Sequence, residues 1–414
     1  MTATHQNPAI LTRRSTLGLL LAGLAGNAAA PALIRTIEKP AAIPALQKKV
    51  LAPPQFDWPE LSAIAQGMVD RQLTPGLSLS VMSAGALLYS QGFGLASIEN
   101  SKVVSPQTEF RVGSITKQFT AAAILLLGEN GLLTLNDPLA KFLPAFPRAA
   151  DITLRQLLSH TSGMGDYING QTDSILTEAQ THDYTADQLL SIISARQPLY
   201  RAQPGATWLY SNSAFTLLSI IVERLSGMAF ADFCSLHLFA PAGLTQTSID
   251  KTANTTAVCS GYRPNFRAPT KYDLTLPISP SFAGGAGAIR STTEDLCLWH
   301  GALLDGRVLK PESLKAMLTP TLLKNGKPAY ERQGADPLEY GLGQGLGEMN
   351  NLKMAAHGGR INGFTGHLRS FTDSKLTVAI LYNSDGGGAP GFSEVQRKLK
   401  TEASRLGLEH LGLV

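Results

Sequence analysis

Runs of β-type residues lie near both ends of this 414-residue chain, and the stretch between them reads mainly as helix. Gly76-Leu-Ser-Leu-Ser-Val-Met82 and Ala86-Leu-Leu-Tyr-Ser-Gln91 flank Ser83-Ala84-Gly85, a hairpin signal. Residues 367–372 and 375–382 flank an Asp373-Ser374 turn and read as a second hairpin. Helical patterns fall at 153–159, 185–196, 211–225, 229–238 and 292–304, with a first helix near 60–72 and a last near 393–406. Strands from the two chain ends can join one sheet only by pairing across the whole length of the sequence. The expected architecture is therefore α+β: an antiparallel sheet from both chain ends flanked by helices, with an inserted, mainly helical lobe over roughly 130–300. A site would lie in the cleft between the lobes.

The chain is long enough to bury a large core. Its 44% hydrophobic and 16% charged content is that of an ordinary globular protein. A net charge of +4 leaves no footprint for nucleic acid. The N-terminus reads as an export signal. Thr12-Arg13-Arg14-Ser15-Thr16-Leu17 precedes an apolar run from Gly18 to Ala25, and Ala28-Ala29-Ala30 follows. Paired arginines before a mild apolar run suggest the twin-arginine route and a periplasmic destination. The run is too short for a bilayer, which takes about 20 residues. The alternative is an uncleaved, membrane-associated tail. Cleavage after Ala32 makes residues 1–32 the signal and leaves no membrane span. It removes two arginines and no acid, so +4 becomes +2. Residues 33–56, with Pro40, Pro44, Pro53 and Pro54, read as a linker or arm before a folded body over 57–410. Cys234, Cys259 and Cys297 match no zinc or CxxC spacing and are expected to be buried thiols.

Two segments carry S-x-x-K. Ser248-Ile-Asp-Lys251 lies in a polar stretch that would leave its lysine solvated and charged, with a pKa of about 10.4. Ser114-Ile-Thr-Lys117 opens a helix that is apolar nearly all round. Side chains three apart meet on one helix face. Burial of Lys117 would favour its neutral form, which can take the proton of a serine hydroxyl. The plain alternative is an N-cap serine and a snorkelling surface lysine. Tyr210-Ser211-Asn212 precedes a second buried helix. Its tyrosine can pass protons if nearby cations lower its pKa, and its Asn212 amide can hold a substrate carbonyl and accept from Lys117. Tyr167-Ile168-Asn169 competes from a glycine-rich loop. His357-Gly358-Gly359 stands just before the last hairpin, where glycines let a substrate backbone lie alongside an edge strand. His357 could bind a substrate carboxylate, assist proton transfer, or be a satisfied core or surface group.

Taken together, these segments resemble the serine β-lactamase and penicillin-binding protein superfamily, in its class C β-lactamase, D-alanyl-D-alanine carboxypeptidase and esterase branch. The matches are Phe110-Arg-Val-Gly-Ser-Ile-Thr-Lys117, Leu157-Leu-Ser-His-Thr-Ser-Gly163, Tyr210-Ser-Asn212, Gly284-Gly285 with Ser291-Thr-Thr-Glu-Asp295, and His357-Gly-Gly359, in family order over roughly 57–400. The resemblance implies a β-lactamase/transpeptidase-like fold and a serine hydrolase. It implies Ser114 as nucleophile, Lys117 as base and Tyr210 as proton partner. Asn212, His357, Gly358, Gly359 and Arg360 would contact substrate, with the N–H groups of Ser114 and Arg360 as oxyanion hole. No metal or organic cofactor is implied. The substrate would be a small molecule or peptide: a D-amino-acid peptide, β-lactam or related amide or ester. A carboxylesterase on short acyl esters shares these motifs, and a non-catalytic peptidoglycan-binding or sensor protein is the alternative of another class. Class C β-lactamases generally carry K-T-G where this chain has His-Gly-Gly, which leans away from antibiotic hydrolysis.

Overall fold

The computed structural model describes residues 51–169, 173–252, 259–331 and 337–414; the expected export signal lies outside them. Among the described residues, nine strands form one antiparallel sheet. In chain order they are β1 (Gly76–Ser83), β2 (Ala86–Ser97), β3 (Lys102–Val103), β4 (Tyr330–Glu331), β5 (Leu338–Tyr340), β6 (Gly345–Met349), β7 (Leu352–Ile361), β8 (Phe364–Phe371) and β9 (Leu376–Tyr382). Their spatial order is β3-β2-β1-β9-β8-β7-β6-β5-β4. The two chain ends meet where β1 pairs with β9, Leu77 opposite Tyr382 and Ser83 opposite Leu376. Both strands are buried along their whole length.

Alternation along β9 divides its side chains between two cores. Leu376, Val378, Ile380 and Tyr382 face the terminal helices α1 (Pro59–Asp70) and α5 (Phe392–His410), which bring Leu61, Ala65, Met68, Leu399, Ala403 and Leu408. Ala379 and Leu381 face the second core, which contains α2 (Thr116–Glu129), α3 (Asn212–Ser226) and α4 (Thr293–Leu304). There Phe119 stacks on Trp299 with ring centroids 4.0 Å apart. The α2 helix is buried on nearly every side, as its sequence requires, and stops at Asn130-Gly131, where Gly131 turns to φ +73°. The three cysteines are free and buried. The expected linker differs at its end: Gln55 and Phe56 donate backbone N–H groups to the carbonyls of Leu87 and Leu88. Phe56 stacks on Trp58 at 5.8 Å, so apolar contact fixes the chain before residue 57.

One detail of the sheet prepares the site. The β6 pairing of β7 ends at Gly345 opposite Ala356, whereas the β8 pairing continues to Ile361. His357 to Ile361 therefore have a paired neighbour on one side only.

Candidate active site

Ser114 sits in a 3-10 turn, Gly113–Ile115, and α2 starts at Thr116 rather than at Ser114 itself. Gly113 explains the offset. It adopts φ +51°, a conformation that glycine takes without a Cβ penalty. A Cβ there would lie 2.8 Å from the Arg360 carbonyl oxygen. Opposite it, a Cβ on Gly359 would lie 2.0 Å from the Val112 carbonyl oxygen. Two glycines thus let the serine turn rest directly on β7.

Lys117 is completely buried. Its Nζ is 3.0 Å from Ser114 Oγ, 2.8 Å from Asn212 Oδ1 and 2.8 Å from the Ala286 carbonyl oxygen. The last two atoms only accept, so they take two N–H groups of the amine. When the amine is neutral, its lone pair is left for the Ser114 hydroxyl. Burial brings the Lys117 pKa down to about 7, against the opposing fields of Asp166 and Glu331. The Ala286 carbonyl reaches Lys117 because Gly284-Gly285 bends the chain closely past α3: Gly284 has φ +48°, and a Cβ on Gly285 would lie 2.6 Å from the Phe215 carbonyl oxygen.

Tyr210 donates its hydroxyl to Ser114 Oγ at 2.6 Å, with its ring 4.8 Å from Lys117 Nζ. The expected cation effect on this tyrosine does not appear. Burial pushes its pKa up, and the Asp166 and Glu331 carboxylates add to the rise. Tyr210 is thus a protonated donor at neutral pH. His160, wholly buried, accepts from the backbone N–H of Ser211 at 3.2 Å and so holds the Tyr210-Ser211-Asn212 segment.

Asn212 accepts from Lys117, but one N–H of its amide is taken by Asp166 Oδ2 at 2.9 Å. Sequence reasoning missed Asp166. Its Oδ1 also accepts from the backbone N–H groups of Ile168 and Asn169, at 2.8 and 3.0 Å. The signal was an acid two residues before amides it can cap, an Asx turn hidden inside the glycine-rich loop.

His357 is buried, and its Nδ1 is 2.5 Å from the Gly358 carbonyl oxygen. A carbonyl only accepts, so Nδ1 carries the proton and Nε2 accepts from the Tyr340 hydroxyl at 3.1 Å. Burial, with Lys117 nearby, lowers the His357 pKa to about 3. The ring is neutral and gives a substrate carboxylate no positive charge.

A cleft of about 1260 Å³ joins these parts, with Ser114, Tyr210 and Asn212 on one wall and His357, Gly358, Gly359 and Arg360 on another. The rivals lie elsewhere. Lys251 is exposed, and Ser248 belongs to a short strand pairing with Arg290. Tyr167 is buried and hydrogen bonds to Thr216 Oγ1 and the Phe282 carbonyl. Among the described residues, no His, Cys, Asp and Glu side chains gather as a metal site. No single helix among them is long and apolar enough to cross a membrane.

Comparison with known proteins agrees with this fold. The family model described as Beta-lactamase matches residues 61–402. The chain belongs to this family. It is 27% identical over 321 residues to penicillin-binding protein 4* of Bacillus subtilis, covering 73% of this chain and 66% of that protein. It is 23% identical over 337 residues to D-aminopeptidase of Brucella ovis, covering 81% of this chain and 61% of that protein. The chain thus spans slightly less than two thirds of each of these curated relatives. The structure of a D-stereospecific amidohydrolase from Streptomyces sp. aligns with a TM-score of 0.67 at 25% identity, covering 82% of this chain and 97% of that one. The resemblance and the α+β class expected from the ordered motifs are those found.

Proposed function

We propose that the protein is an exported serine hydrolase that forms an acyl-enzyme on Ser114. One observation carries this reading: Lys117 Nζ and the Tyr210 hydroxyl converge on the same oxygen, Ser114 Oγ, at 3.0 and 2.6 Å. Neutral Lys117 takes the hydroxyl proton as Oγ bonds to the substrate carbonyl carbon. The Ser114 and Arg360 N–H groups, in the family pattern, receive the oxyanion; such a donor is worth about 3–4 kcal/mol in the transition state. Tyr210 gives its proton to the leaving atom and regains one from the Lys117 ammonium. Water then hydrolyses the ester and frees Ser114.

The substrates proposed are D-amino-acid peptides, β-lactams or related amides and esters. Similarity to the D-aminopeptidase and to the D-stereospecific amidohydrolase supports the first of these. Short acyl esters are the second reading, favoured over β-lactams by the neutral His357, which has no charge for a ring carboxylate. Mass spectrometry after treatment with a fluorophosphonate should show one adduct, on Ser114. Saturable binding of muropeptides by a protein that never labels would support a binding protein instead. Export by the twin-arginine signal predicts a native N-terminus near residue 33; finding Met1 intact on exported protein would count against cleavage.

A further inference from the structure

Glu331 ends the two-residue strand β4 and lines the same cleft as Ser114, Tyr210 and His357. A Cβ on Gly345 would lie 3.2 Å from its Oε2, and Gly345 pairs with Ala356, the residue before His357, so the carboxylate stands at the end of β6 where β7 becomes one-sided. Two acids line the described cleft, Glu331 and Asp385. Asp385 is already engaged, accepting from Arg263 Nε at 3.1 Å and from the Gly387 backbone at 3.0 Å. The Glu331 carboxylate has no ion pair and no side-chain hydrogen bond among the described residues. Partial burial raises its pKa, so a cationic group arriving in the cleft favours the charged form and gains from the reduced solvent screening. His357, by contrast, is neutral and already bonded to Tyr340. Lys117 partly offsets the Glu331 charge, and Arg360, Arg397 and Lys400 also line the cleft, yet none of these is in an ion pair with Glu331 among the described residues.

We propose that Glu331 receives the free ammonium group of the substrate, so that the preferred substrates are amides or short peptides with an unblocked amino terminus. The inference deepens the acyl-enzyme reading and rests on it for the position of the scissile bond. An ammonium held by a carboxylate in a partly desolvated cleft discriminates against the acylated amine, which has lost its charge and leaves the acid unpaired.

The test measures binding without turnover. Calorimetric titration of the Ser114→Ala protein compares D-alaninamide with N-acetyl-D-alaninamide. At least tenfold tighter binding of the free amine is expected. Adding Glu331→Gln should erase that preference, and Glu331→Asp should keep part of it, with unchanged thermal unfolding showing that the fold is intact. Equal binding of the two compounds, or a preference that survives Glu331→Gln, overturns the proposal. A carboxylate that only tunes Lys117 would shift the pH profile and leave the binding preference in place. Fluorophosphonate labelling of the native protein reports separately on Ser114, so failure of the acyl-enzyme reading and failure of the ammonium site give different results.

Discussion

Lys117→Ala is expected to lower kcat/KM by about 10⁴-fold, while the protein stays folded. General-base catalysis contributes about 10²–10⁴-fold. In the proposed mechanism the same amine also supplies the proton that leaves through Tyr210, so both transfers should fail together and the upper end applies. Steady-state kinetics, with circular dichroism as a control for folding, decides it; a loss below tenfold would remove Lys117 from the reaction. The native enzyme should show the matching pH dependence. In the proposed mechanism Lys117 acts when neutral; with its pKa lowered to about 7, kcat/KM should fall about tenfold per pH unit below that value. The sign for stability follows from the same number. The unfolded lysine, at about 10.4, binds the extra proton across the interval from 7 to 10.4. Stability is thus reduced below pH 7 and rises with pH through that interval, by about 5 kcal/mol in all from this group. The base is obtained at the expense of the fold.

Gly359→Ala should cost at least 100-fold in kcat/KM. The new Cβ would lie 2.0 Å from the Val112 carbonyl oxygen, and both sides of that contact are backbone. Either the serine turn or β7 must move by about 1 Å, and a displacement of that size in an active site costs about 10² in rate. Gly358→Ala provides the contrast. Its nearest neighbour would be the Gly366 carbonyl oxygen at 4.0 Å, ordinary contact, so the loss there should be much smaller. Equal losses at the two positions would mean that the glycines serve substrate approach rather than the seating of the turn.

Periodicity made most of the fold legible. The second core helix was expected over 211–225 and runs Asn212–Ser226, because Ser211 caps it through the Ala214 N–H and Gly227 ends it at φ +67°. The final hairpin was read a few residues short on its first strand, since Phe364 and Gly366 carry no clean alternation. The Ser114, Lys117 and Tyr210 cluster was legible because burial of an S-x-x-K lysine follows from the apolar residues around it. Asp166 and Tyr340 were not. Their roles depend on which atoms tertiary folding brings to Asn212 and His357, and nothing local encodes that. The protonation state of Tyr210 was not legible either. The sequence places a lysine near it but does not show that burial of the phenol, with the Asp166 and Glu331 carboxylates, raises its pKa. Glu331 had no signal at all, lying in a two-residue edge strand without periodicity.

The pairing of β1 with β9 has a consequence for the order of events during synthesis. Leu77 needs Tyr382, a partner made some 300 residues later, and pairings so distant in sequence close slowly. Gly113 likewise rests on the Arg360 backbone. A nascent chain that has reached residue 350 already carries Ser114, Lys117, Tyr210 and Asn212, yet lacks the strand against which the serine turn is set. Its reactive hydroxyl is present and unarmed. On the proposed mechanism, chemistry begins only when β7 to β9 have been made and have found β1, so activity would report that this late pairing has taken place.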